Sequence, residues 1–282
     1  MIEPFSAAAR LSAHASDDTD VGRACAADPS LPILFERAWP PAGWTECVHS
    51  GAAVVLVDQL EWTPWLDEAR SLLDRDEWAR VERRRRPCDR DSLVLAYALH
   101  RLLLSSLLRI PPSSVQVGRD AKGCPRLPGD VLWTSLSHGD RHLAFAFSGV
   151  GPIGVDIESS GRAAELPAII ERVCTPGETA SAGQLDDASR AAWLLALWVR
   201  KEAYLKAVGI GLEWGMETFD AAEGAVLPLP QPEGRAGPDQ VQVSTLRSGP
   251  GCVAAVAMVP GAPFANHWLR PVDAAGVAGL SR

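Results

Sequence analysis

The stretch PIGVDIES (152–159) constrains this chain more than any other, because a strand sends successive side chains to opposite faces. Alternation puts Ile153, Val155 and Ile157 on one face and Gly154, Asp156 and Glu158 on the other. The first face asks for a core. The second carries two carboxylates about 7 Å apart along the strand. Such a pair repels itself unless solvent or a cation intervenes, and Mg2+ accepts few protein carboxylates while completing its octahedron with water and phosphate oxygens. An amphipathic strand with its acids in water has the same pattern, so this strand alone leaves a metal site and a wet surface both open.

A second stretch narrows the choice. WVRKEAYLKAVGIGL (198–212) closes a helix expected from about Arg190 to Val208, with Gly209 as its C-terminal stop. Leu195, Trp198 and Val199 precede Glu202 by helical spacings, which sets that carboxylate in line with an apolar stripe and turns it inward or into a cleft. Only Lys122, Lys201 and Lys206 are lysines among the 27 basic residues. In a chain that otherwise uses arginine, a compact ammonium suits a single phosphate oxygen. An exposed pair between Glu202 and Lys206 is the bland alternative.

The run RVERRRRPCDR (80–90) is locally basic inside a chain of net charge −8. Arginine forks match phosphate oxygens, so the run suits a multiply phosphorylated small molecule or, equally, a solvated helix face. The acidic balance and the lack of interleaved aromatics argue against nucleic acid. Six scattered cysteines without CxxC pairs read as reduced thiols of a cytoplasmic protein. No apolar run reaches a membrane span, and no signal sequence opens the chain.

Along the chain, 52–60 reads as a buried strand, 66–86 as a helix broken by Pro87, and 91–108 as a second helix. LWTSLSH (132–138) and HLAFAFS (142–148) form a hairpin around Gly139-Asp140, with Ser137 and His138 at the turn. Two further strands, QVQVSTL and CVAAVAM, follow a Pro/Gly loop at 228–240. The fold class is α+β. The expected division is an N-terminal extension (1–50, partly disordered), an N-terminal lobe (51–150), a C-terminal lobe (151–270) and a tail (271–282), hinged at SGVGPIG.

In this order the segments resemble the Sfp-type 4'-phosphopantetheinyl transferases, which move phosphopantetheine from coenzyme A to a carrier-protein serine. The resemblance rests on the basic run, KGCP (122–125), LSH (136–138), GVDIE (154–158), WVRKEAYLK (198–206) and GIGL (209–212). It implies two similar α/β lobes with the active site between them and a monomeric enzyme. Asp156, Glu158 and Glu202 would hold Mg2+, with Mn2+ an acceptable substitute. Glu202 would also act as base toward the serine, assisted by Lys206. Coenzyme A would meet Arg80, Arg83, Arg90, Lys122, Pro125, Ser137, His138, Asp156, Lys201 and Lys206. The partner would be an apo acyl or peptidyl carrier domain, with no nucleic acid or membrane involved. Cys124 stands where the family carries a lysine, and Lys122 is the expected replacement. A Mg2+-dependent nucleotide diphosphate hydrolase and a silent coenzyme A binder remain alternatives.

Overall fold

The computed structural model describes residues 30–39, 41–210, 214–230 and 237–271. The expected tails at 1–29 and 272–282, the glycine and leucine that end GIGL, and residues 231–236 of the Pro/Gly loop lie outside the described residues. Helices and mostly antiparallel strands come in separate runs, so the chain is α+β.

The chain enters through α1 (Leu31–Ala38) and α2 (Trp44–Ser50), inside the stretch expected as an extension. Both are structured parts of the fold, because Trp39 and Trp44 are buried edge to face and Trp44 meets Phe147. Strand β1 (Ala52–Asp58) leads to α3 (Leu66–Ser71) and α4 (Arg75–Glu82). The single helix expected over 66–86 is interrupted here. Asp74 accepts from the amides of Asp76 and Glu77, and the Glu77 side chain returns to the Asp74 amide, so this capping box starts a new helix. Pro87 begins rather than ends a helix: it takes the first turn of α5 (Pro87–Leu108), where its missing N–H costs nothing. Contrary to the sequence expectation, α5 is long and apolar enough to cross a membrane, and here most of it is buried against the first sheet.

The short strands β2 (Gly118–Arg119) and β3 (Pro125–Arg126) pair across the AKGC turn. Strands β4 (Trp133–His138) and β5 (His142–Ser148) form the expected hairpin, and β6 (Gly154–Ser159) follows. Next come α6 (Ile170–Val173), α7 (Pro176–Ala182) and α8 (Asp187–Val208), the last closed by Gly209 in the left-handed region. The remaining strands are β7 (Val226–Pro228), β8 (Gln240–Leu246), β9 (Cys252–Met258) and β10 (Phe264–Trp268).

Among the described residues, two four-stranded sheets form, ordered β10-β1-β5-β4 and β6-β9-β8-β7. Strand β10, from the stretch assigned on sequence to the second lobe, pairs in parallel with β1. The period of the strands decides the layers. Ala53, Val55, Val57, Phe145 and Phe147 face α5, whereas Ala52, Val54, Leu56, Ala144 and Ala146 meet Val155, Ile157, Ala254 and Val256 of the other sheet. Small side chains on that inner face let the two sheets approach closely. The outer face of the second sheet packs on α8 through Val241, Val243, Ala255, Ala257, Ala203 and Ala207.

Gly154 fixes the approach of α8 to β6. A Cβ at this position would stand 1.9 Å from the Ala203 carbonyl oxygen and 2.5 Å from the Ala207 amide nitrogen. Only glycine lets the helix backbone lie flush on the strand. This contact brings the acids of β6 beside those of α8.

Candidate active site

Beneath that contact lies a cavity of about 510 Å³, bounded by β4, β6, α8, α4 and the β2–β3 turn. Asp156, Glu158, Glu202, Lys206, Ser137 and His138, all named from the sequence, line it. So do Arg80, Lys122 and Pro125.

Asp156 is the buried centre. Its Oδ1 accepts from Ser137 Oγ at 2.7 Å and from Lys206 Nζ at 2.7 Å, whereas its Oδ2 is buried with no partner. Lys206 therefore pairs across elements with Asp156, and the exposed Glu202–Lys206 helix pair is not what forms. Glu158 accepts a hydrogen bond from Arg162 four residues later. Burial, followed by the negative charge of Asp156, pushes the carboxyls of both Glu158 and Glu202 up to about 7. These two effects disfavour a third negative charge, which is what an unscreened acid cluster should show. Among the described residues, no three metal-ligating side chains stand closed around one point. His138 is held neutral, its pKa lowered by burial and then by Arg84 and Lys206.

Three expected contacts lie elsewhere. Lys201 is fully buried away from the cavity and donates to Glu178 at 2.5 Å and to the carbonyls of Val173, Met216 and Phe219. It sits on the opposite side of α8 from Lys206, so it fastens the helix to α6, α7 and the segment after α8 rather than meeting a phosphate. Arg83 and Arg90 turn back onto the carbonyls of Ala79 and Arg84 and do not line the cavity. The helix stops at Glu82, and the chain bends there, so Arg84 points inward in their place.

Sequence reasoning missed Arg84, Arg119, Arg126 and Arg162 as site residues. Arg119 stacks over Tyr97 at 5.1 Å and donates to the Gly123 carbonyl, and burial lowers its pKa. Arg126 is held by Asp120, whose other oxygen receives the amides of Lys122 and Cys124 and shapes the turn. The signal was present: RDAKGCPR (119–126) places an arginine on each strand of a turn.

The cavity thus has carboxylates on one wall and guanidinium groups on the others. Residues 152–254 match the family model of the 4'-phosphopantetheinyl transferase superfamily, a stretch that includes both GVDIE and WVRKEAYLK. The chain is 28% identical over 156 residues to slr0495 of Synechocystis sp., provisionally named a 4'-phosphopantetheinyl transferase, covering 54% of this chain and 63% of that one. It is 28% identical over 151 residues to the 4'-phosphopantetheinyl transferase HetI of Nostoc sp., covering 52% and 64%. A phosphopantetheinyl transferase of Thraustochytrium sp. is 26% identical over 174 residues, covering 55% and 60%. The chain thus spans just under two thirds of the length of these relatives. The family resemblance drawn from the motifs holds, without singling out the Sfp type.

Proposed function

We propose that this chain transfers the 4'-phosphopantetheine group of coenzyme A to a serine hydroxyl of an apo carrier protein, releasing adenosine 3',5'-bisphosphate. The observation that carries the reading is the convergence of Asp156, Glu158, Glu202 and Lys206 on one wall of a cavity that Arg80, Arg84, Arg119 and Arg126 also line. Coenzyme A has both a pyrophosphate and a separate 3'-phosphate, and arginine forks suit such oxygens. The names of the relatives support the same activity.

The residues present fit a divalent cation. Asp156 keeps one buried oxygen without a partner, and burial, followed by the charge of Asp156, pushes the carboxyls of Glu158 and Glu202 up to about 7. An all-oxygen donor set of this kind suits Mg2+ or Mn2+. Asp156, Glu158 and Glu202 would hold it, and it would supply charge stabilisation at the pyrophosphate oxygens. Lys206, already directed at Asp156, offers its ammonium to the same phosphates. Glu202 takes the proton of the carrier serine as general base. Ser137 orients Asp156, and neutral His138 can donate to a phosphate oxygen.

The two-lobe reading belongs to this proposal. Its support is that each four-stranded sheet carries one 22-residue helix, α5 or α8, on its outer face. The test is to incubate the protein with an apo carrier, coenzyme A and Mg2+ and weigh the carrier by mass spectrometry. A gain of one phosphopantetheine, abolished by a chelator, is expected. An unchanged carrier mass would overturn the reading.

A further inference from the structure

Arg162 holds a place that the transfer reading gives to the cation. Ser159 Oγ accepts from the Gly161 amide and starts a tight turn over Ser160–Ala164, which brings Arg162 back above Glu158. There its Nη1 donates to Glu158 Oε1. A second element holds it independently: the guanidinium lies over the Trp198 ring of α8, 4.6 Å from the centroid. Trp198 and Glu202 are one helical turn apart, so Arg162 is clamped between one acid of β6 and the helix that carries another. Arg162 also stands at a junction, since Arg84, His138, Glu158 and Arg162 line both the main cavity and a second polar cavity alongside it.

We propose that Arg162 is a resident counter-ion that competes with the divalent cation for Glu158. The inference rests on the proposed cation site at Asp156, Glu158 and Glu202. An oxygen that accepts from a guanidinium cannot direct the same lone pair at a metal ion. Cation binding through Oε1 of Glu158 therefore requires the Arg162 guanidinium to swing off that oxygen, and a cation on Oε2 would still meet its charge at close range. The Trp198 face keeps the arginine close while it is displaced, because stacking on an indole does not depend on the ion pair. Two consequences follow. Before a cation binds, Lys206 faces Asp156 and Arg162 faces Glu158, and cation affinity is set below what three free acids would give. The released guanidinium is then free to face an anion in either cavity.

The test is direct binding of Mn2+ to the full chain, followed by electron paramagnetic resonance without coenzyme A or carrier. Arg162→Gln should tighten Mn2+ by about fivefold, the upper end for a partly exposed ion pair. Arg162→Lys, which keeps the charge, should bind like wild type or only slightly tighter. Arg119→Gln removes the same charge from the same cavity without touching an acid and should change the affinity much less. Equal tightening by Arg162→Gln and Arg119→Gln would overturn the proposal in favour of a general field effect. Unchanged affinity in Arg162→Gln would overturn it as well. Asp156→Asn separates the two readings: if it abolishes Mn2+ binding while Arg162→Gln has no effect, the cation site stands and only the competition fails. If wild type and Arg162→Gln both bind no Mn2+, the cation site and the competition fall together.

Discussion

Replacing Gly154 with alanine tests the contact on which the site depends. The added methyl would lie 1.9 Å from the Ala203 carbonyl oxygen, with the Ala207 amide nitrogen at 2.5 Å. Both atoms are helix backbone and cannot rotate away. Restoring an ordinary contact of about 3.5 Å displaces α8 from β6 by about 1.5 Å. Overpacking of this kind costs about 1–3 kcal/mol, and each kcal/mol lowers Tm by roughly 2–4 °C in a domain of this size. The larger effect is on turnover. Glu202 and Lys206 ride on the displaced helix, whereas Asp156 and Glu158 stay with the strand, so the 2.7 Å contact from Lys206 to Asp156 opens. A misplacement of about 1 Å can cost about 10²-fold in rate. Calorimetry gives Tm, and mass-resolved carrier loading gives the rate. A folded Gly154→Ala protein that melts and turns over like wild type would refute the argument.

Lys201→Met should lower stability by about 3–5 kcal/mol in urea unfolding, because it strands the buried Glu178 carboxylate, while the fraction that remains folded keeps the wild-type KM for coenzyme A; a raised KM would return Lys201 to the ligand. Glu202→Gln should cut turnover by about 10² or more. The same variant should raise Tm at pH 8 in chelator: the folded pKa of about 7 lies above the usual carboxylate value, so ionisation costs stability as pH rises through that window, and glutamine removes the cost. An unchanged or lower Tm would contradict that sign. His100, buried between Phe145 and Phe147 and bonded to Thr134, is held neutral down to about pH 3. Its contribution is complete above its usual value and drains away as pH falls toward 3, so His100→Leu should flatten the acid limb of Tm against pH; an equally steep limb would exclude it as the cause. Arg119→Ala should raise the KM for coenzyme A more than Lys122→Ala does, since Arg119 is braced by Tyr97 inside the cavity whereas Lys122 is exposed; the reverse order would favour Lys122 as the stand-in at Cys124.

What the sequence revealed depended on periodicity. The β6 alternation located Asp156 and Glu158 on the cavity side and Val155 and Ile157 between the sheets, because a strand's period of two admits no other outcome once one face is buried. Helical spacing likewise put Glu202 into the cleft. It could not separate Lys201 from Lys206, although the five-residue offset rotates them to different sides of α8. Lys201's partners, Glu178 and the carbonyls of Val173, Met216 and Phe219, are brought together only by the fold. The arginine run misled for a related reason. Which of Arg83, Arg84 and Arg90 faces inward is set by where α4 stops and how the chain turns into α5, and a run of identical residues carries no such information. Strand β10 was missed because its pairing with β1 is a contact across more than two hundred residues of sequence.

The most direct measurement of the central claim compares nucleotide release from coenzyme A with and without an apo carrier, in Mg2+, while the carrier is weighed in the same samples. A transferase built on Glu202 as base toward a serine should release adenosine 3',5'-bisphosphate only when the carrier is present, in one-to-one proportion to the phosphopantetheine gained. Release that proceeds equally without the carrier would make water the acceptor and the protein a hydrolase, and no release in either sample would leave a cavity that binds coenzyme A without acting on it; each result contradicts the account.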